Sequence, residues 1–265
     1  MGKESSGRPA ESPPGLCPDD ALFLDFDGTL VEIAPKPDQV RVRPELPGLL
    51  NGLARRLGGA VAVVSGRPLD ELARMLKPFS GALAGQHGFE RRHGDGHIIR
   101  RPPPPSLDRL RPALVRFAAH HPGVLVEDKG ASLALHYRQT PLQEEDCRAL
   151  IRCLARASDG ELEELDGKMV VELRSRFGNK GRAIAELLGE PPFLGRLPVF
   201  VGDDTTDEDG FAVVDAAGGI SVHVGSSVTT TARYRVAGVS EVLLWLAAGL
   251  QADTRPALSA HRACE

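Results

Sequence analysis

The stretch Ala21-Leu22-Phe23-Leu24-Asp25-Phe26-Asp27-Gly28-Thr29-Leu30 begins with four apolar residues and ends among acids. That is the pattern of a strand buried on both faces whose C-terminal end opens into a site. Asp25 and Asp27 put two carboxylates at that end, where they repel each other unless a cation lies between them. Carboxylate and carbonyl oxygens suit a hard cation such as Mg²⁺. Gly28 lets the chain turn away sharply. A plain strand-to-turn exit uses the same residue types, so the motif gains force only from its surroundings.

Working outward, Leu46, Leu49, Leu50, Leu53 and Leu57 recur at helical spacing after Pro44. Ala60 to Val64 reads as a second buried strand and ends in Ser65-Gly66-Arg67. Pro68 then opens a helix to about Leu76, as proline does at a first helical position. A third strand, Gly81 to Gly85, runs into Gln86-His87-Gly88. The pattern returns near the other end of the chain. A helix from Asn179 to Leu188 precedes strand Pro198 to Val201, which ends in Gly202-Asp203-Asp204; strand Ile220 to Val224 and a helix capped by Ser240 follow. Strands alternating with helices predict an α/β fold with a Rossmann-like, doubly wound parallel sheet.

The segment between behaves differently. Two short strands flank a Gly94-Asp95-Gly96 turn, and Arg101 to Ser106, with its four consecutive prolines, reads as a stiff linker. Beyond them come a helix (Leu107 to His120), strands Val124 to Glu127 and Ser132 to Arg138, a helix (Pro141 to Ala157) and strand Lys168 to Arg174. Leu133, Leu135 and Tyr137 alternate with Ser132, His136 and Arg138. Met169, Val171 and Leu173 likewise alternate with Lys168, Glu172 and Arg174. This period of two predicts an antiparallel sheet with one apolar and one polar face. The expected organisation is a disordered leader (1–18) rich in Pro, Ser, Gly and Glu, a core (19–103 and 179–265), and an inserted α+β cap domain (104–178).

A chain of 265 residues holds one large or two modest domains. Hydrophobic residues at 42% and charged residues at 26% are ordinary for a globular protein and exclude disorder throughout. A formal net charge of −4 supplies no overall basic field, so neither nucleic acid nor a membrane is expected as a partner. No apolar run approaches the roughly 18 residues that span a bilayer. The N-terminus lacks the apolar core of a secretory signal. Cys17, Cys147, Cys153 and Cys264 show no C-x-x-C spacing and read as reduced thiols of a cytoplasmic protein. The expected state is a monomer.

Three further signals join the first. Gly202-Asp203-Asp204-Thr205-Thr206-Asp207-Glu208 is a second acidic cluster after an apolar strand, and strand ends of one parallel sheet converge where ligands bind. Asp207 and Glu208 read here as acids favouring the N-terminus of the next helix. Ser65 offers a hydroxyl at a strand end. Lys180 opens a helix, where a cation is unfavourable unless it faces an anion. The order D-x-D, Ser, Lys, G-D-D resembles the haloacid dehalogenase superfamily of phosphotransferases. That resemblance implies Asp25 as nucleophile, Asp27 as general acid/base, and Ser65 and Lys180 as phosphoryl clamps. It further implies Mg²⁺ held by Asp25, Asp203 and the Asp27 backbone carbonyl, with Asp204 in support.

A narrower likeness follows from Gly85-Gln86-His87-Gly88-Phe89-Glu90, Glu127-Asp128-Lys129-Gly130, Leu135-His136-Tyr137-Arg138 and Asp166-Gly167-Lys168 with Glu172. Together these resemble the trehalose-6-phosphate phosphatases, over nearly the whole chain except the leader and the final dozen residues. The resemblance implies a sugar phosphate substrate and hydrolysis of trehalose 6-phosphate through an aspartyl-phosphate, the final step of trehalose biosynthesis. By it, Glu127, Lys129, Arg138, Lys168 and Glu172 contact the sugar from the cap, with His87 on the core side. Hydroxyl-rich ligands need such polar partners, although a solvated sheet face has the same composition. The alternative is the same chemistry on another sugar phosphate, such as sucrose phosphate. A silent regulatory subunit would normally lack a nucleophile or metal ligand, and a receiver domain is about half this length and has no cap.

Overall fold

Buried apolar runs joined by amphipathic helices give a sheet covered on both faces. The computed structural model describes residues 12–251 except 168, 177, 227 and 228. Its first half builds β1 (Asp20–Leu24), α1 (Leu46–Arg56), β2 (Val61–Val64), α2 (Leu69–Met75), β3 (Ala82–Gly85), β4 (Glu90–Arg92) and β5 (Ile98–Arg100). An inserted segment follows with α3 (Pro105–His120), β6 (Leu125–Asp128), β7 (Ser132–His136), α4 (Glu144–Arg156), β8 (Leu162–Gly167) and β9 (Val170–Ser175). The chain then returns through α5 (Lys180–Leu188), β10 (Leu197–Gly202), α6 (Glu208–Ala216), β11 (Ile220–Val224), β12 (Tyr234–Val236) and α7 (Val239–Ala248).

The main sheet has the order β12-β11-β10-β1-β2-β3-β4-β5, and β4 alone runs against the others, pairing antiparallel with β3 and with β5. Every residue of β1 is buried. Successive strand side chains point to opposite faces. Leu22 and Leu24 therefore pack with Leu50, Leu53, Val242 and Leu246 of α1 and α7. Ala21 and Phe23 pack on the other face with Ile184 and Phe211 of α5 and α6. From β1 the chain order climbs one way through β2 and β3, while β10 to β12 lie on the other side. This reversal opens a crevice at the C-terminal ends of β1 and β10, the usual ligand position in open α/β sheets.

The insert carries its own antiparallel sheet, β6-β7-β9-β8. Leu133, Leu135, Tyr137, Val171 and Leu173 form its apolar face and pack against α3 and α4 through Leu107, Leu114, Ile151 and Leu154. The opposite face is polar but not solvated, since Glu172 and Arg174 are only 6% and 7% exposed. It is covered because it turns back toward the crevice of the main sheet.

Several expectations change. Residues 1–11 of the expected leader lie outside the described residues. Leu16, also placed in that leader, is buried in the core, and the Pro14 carbonyl accepts from Trp245 Nε1 at 3.0 Å. Pro105 is the first residue of α3 and not linker, at a position that needs no backbone donor. β8 was not expected because Leu-Glu-Glu-Leu-Asp-Gly is a composition depleted in strands; as the sheet's edge it needs only one partner. Ser240 is not the cap of α7: it follows Gly238 and Val239, and its hydroxyl accepts from Arg43. Lys168 lies outside the described residues. Among those described, no helix is long and apolar enough to cross a membrane.

Candidate active site

Asp25 follows β1 directly and is 3% exposed. Its backbone N–H donates to the Val201 carbonyl of β10 at 2.9 Å, which aligns it with the Asp203 segment. Lys180, the first residue of α5, reaches the same place from the far side of the insert. The cap of that helix is Asn179, whose side chain accepts the Arg182 N–H at 2.7 Å, so the sequence signal of a capped helix start also aims the lysine. Lys180 Nζ donates to Asp25 Oδ1 at 2.6 Å and to Asp207 Oδ1 at 2.7 Å. Burial alone would lower the Lys180 ammonium, but Asp207 and then Asp25 hold it above its ordinary range.

Asp207 corrects the sequence reading. It does sit at a helix start, forming a reciprocal cap with Asp204. Its carboxylate, however, is fully buried and turned inward, where Oδ2 accepts the Asp203 and Asp204 N–H groups, each at 3.0 Å. Its place four residues after Asp203 suits a helix-start acid equally well, so no sequence signal separated the two roles. Glu208 instead ties down the Thr230–Thr231 segment.

Asp25, Asp203 and Asp207 offer carboxylate oxygens that all lie within 4.8 Å of one another. Three acids face one ammonium, and burial followed by the neighbouring acids raises the Asp25 and Asp203 carboxyls well above the usual range. Asp203 Oδ1 is buried with no hydrogen-bond partner. Gly28, in the left-handed region at φ +84°, leaves the space Asp203 needs, because a Cβ there would lie 2.0 Å from Asp203 Oδ2. Excess negative charge, an unsatisfied oxygen and an all-oxygen donor set fit a divalent cation.

Asp27 is more open than Asp25. Arg67 grips it with two parallel bonds, Nε to Oδ2 at 2.7 Å and Nη2 to Oδ1 at 2.8 Å. Arg67 is itself held by Glu71 and lies over the Phe26 ring. No local signal in the sequence marks this role of Arg67, since its partner Asp27 lies 40 residues away. Ser65 is buried at the end of β2, and its hydroxyl accepts the Arg67 N–H at 3.2 Å.

The polar face of the insert forms the opposite wall of the same cleft, which Glu127, Lys129, Arg138 and Glu172 line together with Asp25, Asp27, Ser65, His87, Lys180 and Asp203. Lys129 Nζ donates to Glu172 Oε2 at 2.7 Å. Burial by itself would raise the Glu172 carboxyl, but Lys129 outweighs it and Glu172 titrates at about 2. Glu172 Oε1 remains buried and unpartnered. Glu127 pairs with His136 Nε2 at 2.7 Å, a residue sequence reasoning had placed on the polar face without a role. His87 lies 3.9 Å from Glu172, and burial, with help from Arg174, Lys180 and Lys129, pushes its imidazole down to about 3. Gln86 and His87 both have positive φ, 48° and 55°, a conformation costing a non-glycine residue about 1–3 kcal/mol.

Comparison with known proteins finds the family described as Trehalose-phosphatase across residues 23–240. A trehalose-6-phosphate phosphatase of Escherichia coli is 43% identical over 241 residues, 90% of each chain. A probable trehalose-phosphate phosphatase of Sinorhizobium fredii is 43% identical over 208 residues, 78% of each chain. A crystal structure of a trehalose-6-phosphate phosphatase related protein superposes with a TM-score of 0.72 at 27% identity, covering 87% of this chain and 96% of that one.

Proposed function

The chain belongs to the trehalose-phosphatase family, and on that premise we propose that it hydrolyses trehalose 6-phosphate to trehalose and phosphate through an aspartyl-phosphate on Asp25, as the final step of trehalose biosynthesis. In this reading Mg²⁺ is the metal and the enzyme works as a cytoplasmic monomer. Residues 12–103 and 179–251 form its catalytic core, and 104–178 its recognition cap. The observation that carries the reading is the shared cleft. Asp25, Lys180 and Ser65 line one wall, and the unpartnered Glu172 Oε1, with Lys129, Glu127 and Arg138, waits on the other.

An Asp25 oxygen attacks phosphorus, and the bond from phosphorus to the sugar oxygen breaks. Asp27 gives its proton to the departing oxygen, then takes one from the water that cleaves the aspartyl-phosphate. Before doing so it must turn from Arg67. Lys180 and Ser65 hold the phosphoryl oxygens, and Asp207 keeps Lys180 aimed. Asp25, Asp203 and the Asp27 carbonyl would hold the cation, which when bound neutralises charge on the phosphoryl group. Glu172, Lys129, Glu127, Arg138 and Lys168 take the sugar hydroxyls, and His87 closes the core side.

The test is phosphate release from a panel of trehalose 6-phosphate, sucrose phosphate and hexose phosphates, with Mg²⁺ and with EDTA. Trehalose 6-phosphate should be preferred and EDTA should stop turnover. Asp25→Asn should lose several orders of magnitude, as nucleophile deletions do. Retention of about a tenth of the activity in that variant would exclude the covalent route. A preference for another sugar phosphate would overturn the substrate.

A further inference from the structure

Gln86 has no place in the chemistry above, yet it is buried and its backbone is held in the left-handed region. The conformation has a geometric result. It throws the side chain out of the main sheet and into the β6–β7 turn of the insert. There Gln86 Oε1 accepts the Ala131 N–H at 2.6 Å, in a buried bond between segments 45 residues apart. The turn is shaped to receive it. Gly130 sits at φ +88°, and a Cβ on it would lie 3.5 Å from Gln86 Nε2, so the carboxamide rests against the turn backbone.

The other end of the connection is equally definite. The Gln86 N–H donates to the Arg67 carbonyl at 2.9 Å, and the His87 N–H to the Ser65 carbonyl at 3.0 Å. His87 packs over Gly66, where an added Cβ would lie 2.8 Å from its Nε2. The phosphate loop 65–67 is thus stitched to residues 86–87 by backbone bonds. The turn bonded to Gln86 carries Lys129, the partner of Glu172.

We infer that Gln86 is a positioning residue that latches the recognition sheet to the phosphate loop, and so sets the span between the phosphate end and the sugar end of the cleft. Its consequence for substrate choice rests on the trehalose 6-phosphate reading above. A disaccharide phosphate must reach both ends at once, so loosening the span weakens its binding. A small aryl phosphate touches only the core end and does not sense the latch.

Three variants test this. Gln86→Leu keeps the bulk and removes the acceptor, Gln86→Gly also relieves the backbone, and Gln86→Glu keeps an oxygen at the same reach. Leu and Gly variants should lose roughly tenfold or more in kcat/KM for trehalose 6-phosphate, chiefly through KM, and change by at most about twofold on an aryl phosphate. Glu should recover most of the loss. Equal losses on both substrates, no loss at all, or no rescue by Glu would overturn the inference. Hydrogen exchange at the Ala131 amide gives a substrate-free arm: it should speed up in Gln86→Gly, and unchanged protection would refute the latch. Should the wild type not turn over trehalose 6-phosphate, the functional reading fails while the exchange arm still decides the latch.

Discussion

Asp203→Asn should make the metal-free protein more stable and at the same time remove its response to Mg²⁺. In the unfolded chain Asp203 is hydrated and its acidic neighbours are screened by water. In the fold its carboxylate shares a buried site with those of Asp25 and Asp207, all within 4.8 Å, where at an effective dielectric near 20 each like pair costs about 3.5 kcal/mol. With all three carboxylates ionised, Asp203 meets two such repulsions and one attraction, from Lys180, so at alkaline pH a neutral isostere relieves about 3 kcal/mol. For a chain of this size that corresponds to a rise of roughly 6–12 °C in Tm. The swap is isosteric, which matters because the space beside Gly28 fits this side chain and little else. Its sign with pH follows from the raised carboxyl: the fold binds the proton more tightly than the unfolded chain does, so the penalty is absent in acid. It grows as pH rises past the ordinary carboxylate range, and the gain in Tm should grow with it. Calorimetry in EDTA at mildly acid and at alkaline pH, followed by a Mg²⁺ titration, reads both effects. Wild type should gain stability with the ion by mass action, and the variant should not. A variant less stable than wild type in EDTA, or one still stabilised by Mg²⁺ to the wild-type extent, would refute the charge reasoning.

Two further expectations concern the recognition wall. Glu172→Gln leaves the half-buried Lys129 ammonium beside an amide with Glu127 as its remaining carboxylate, so the loss of stability should stay below the roughly 3–5 kcal/mol of breaking a fully buried pair. Its kcat/KM for trehalose 6-phosphate should fall at least roughly tenfold further than for an aryl phosphate, whereas matching losses would reduce Glu172 to a folding role. His87 titrates at about 3 in the fold against 6.5 for a free imidazole. The unfolded chain therefore takes the proton first, and stability is full above pH 6.5 and declines as pH falls toward 3. His87→Gln should flatten the acid limb of a Tm–pH curve, and an unaltered slope would assign it to other groups.

The convergence of Asp25, Ser65, Lys180 and Asp203 on one cleft was legible in the sequence because each sits beside a local signal. Asp25 ends an apolar run, Ser65 ends another, Asp203 a third, and Lys180 follows a capping Asn179. Strand ends in one parallel sheet must meet, so three local signals fix a shared place. Asp207 escaped because a local role sufficed: an acid at a helix start is already stabilised by the helix, and nothing in its neighbours reveals that its carboxylate turns inward to Lys180. Arg67 escaped in the same way, since its partner Asp27 lies 40 residues away. β8 escaped because its acids contradict strand propensity, and only pairing with β9 makes them a strand.

The recognition half poses a different problem. Period-two alternation in β7 and β9 correctly separated an apolar face from a polar one, but alternation is silent on what covers the polar face. Water and a second domain both satisfy the same pattern. The fold decides it through Gln86 and His87, whose left-handed backbone no propensity favours for these residue types. That cost is sustained only where the surroundings over-determine the conformation. Here they do so from two sides: backbone bonds to Ser65 and Arg67 beneath, and the Ala131 N–H above. The Gln86–Ala131 bond thus ties the turn of the polar sheet to the main sheet, where that face becomes the second wall of the cleft. The acids and lysine of the main sheet can be read one strand at a time, whereas the wall opposite them depends on a contact between segments that no local pattern encodes.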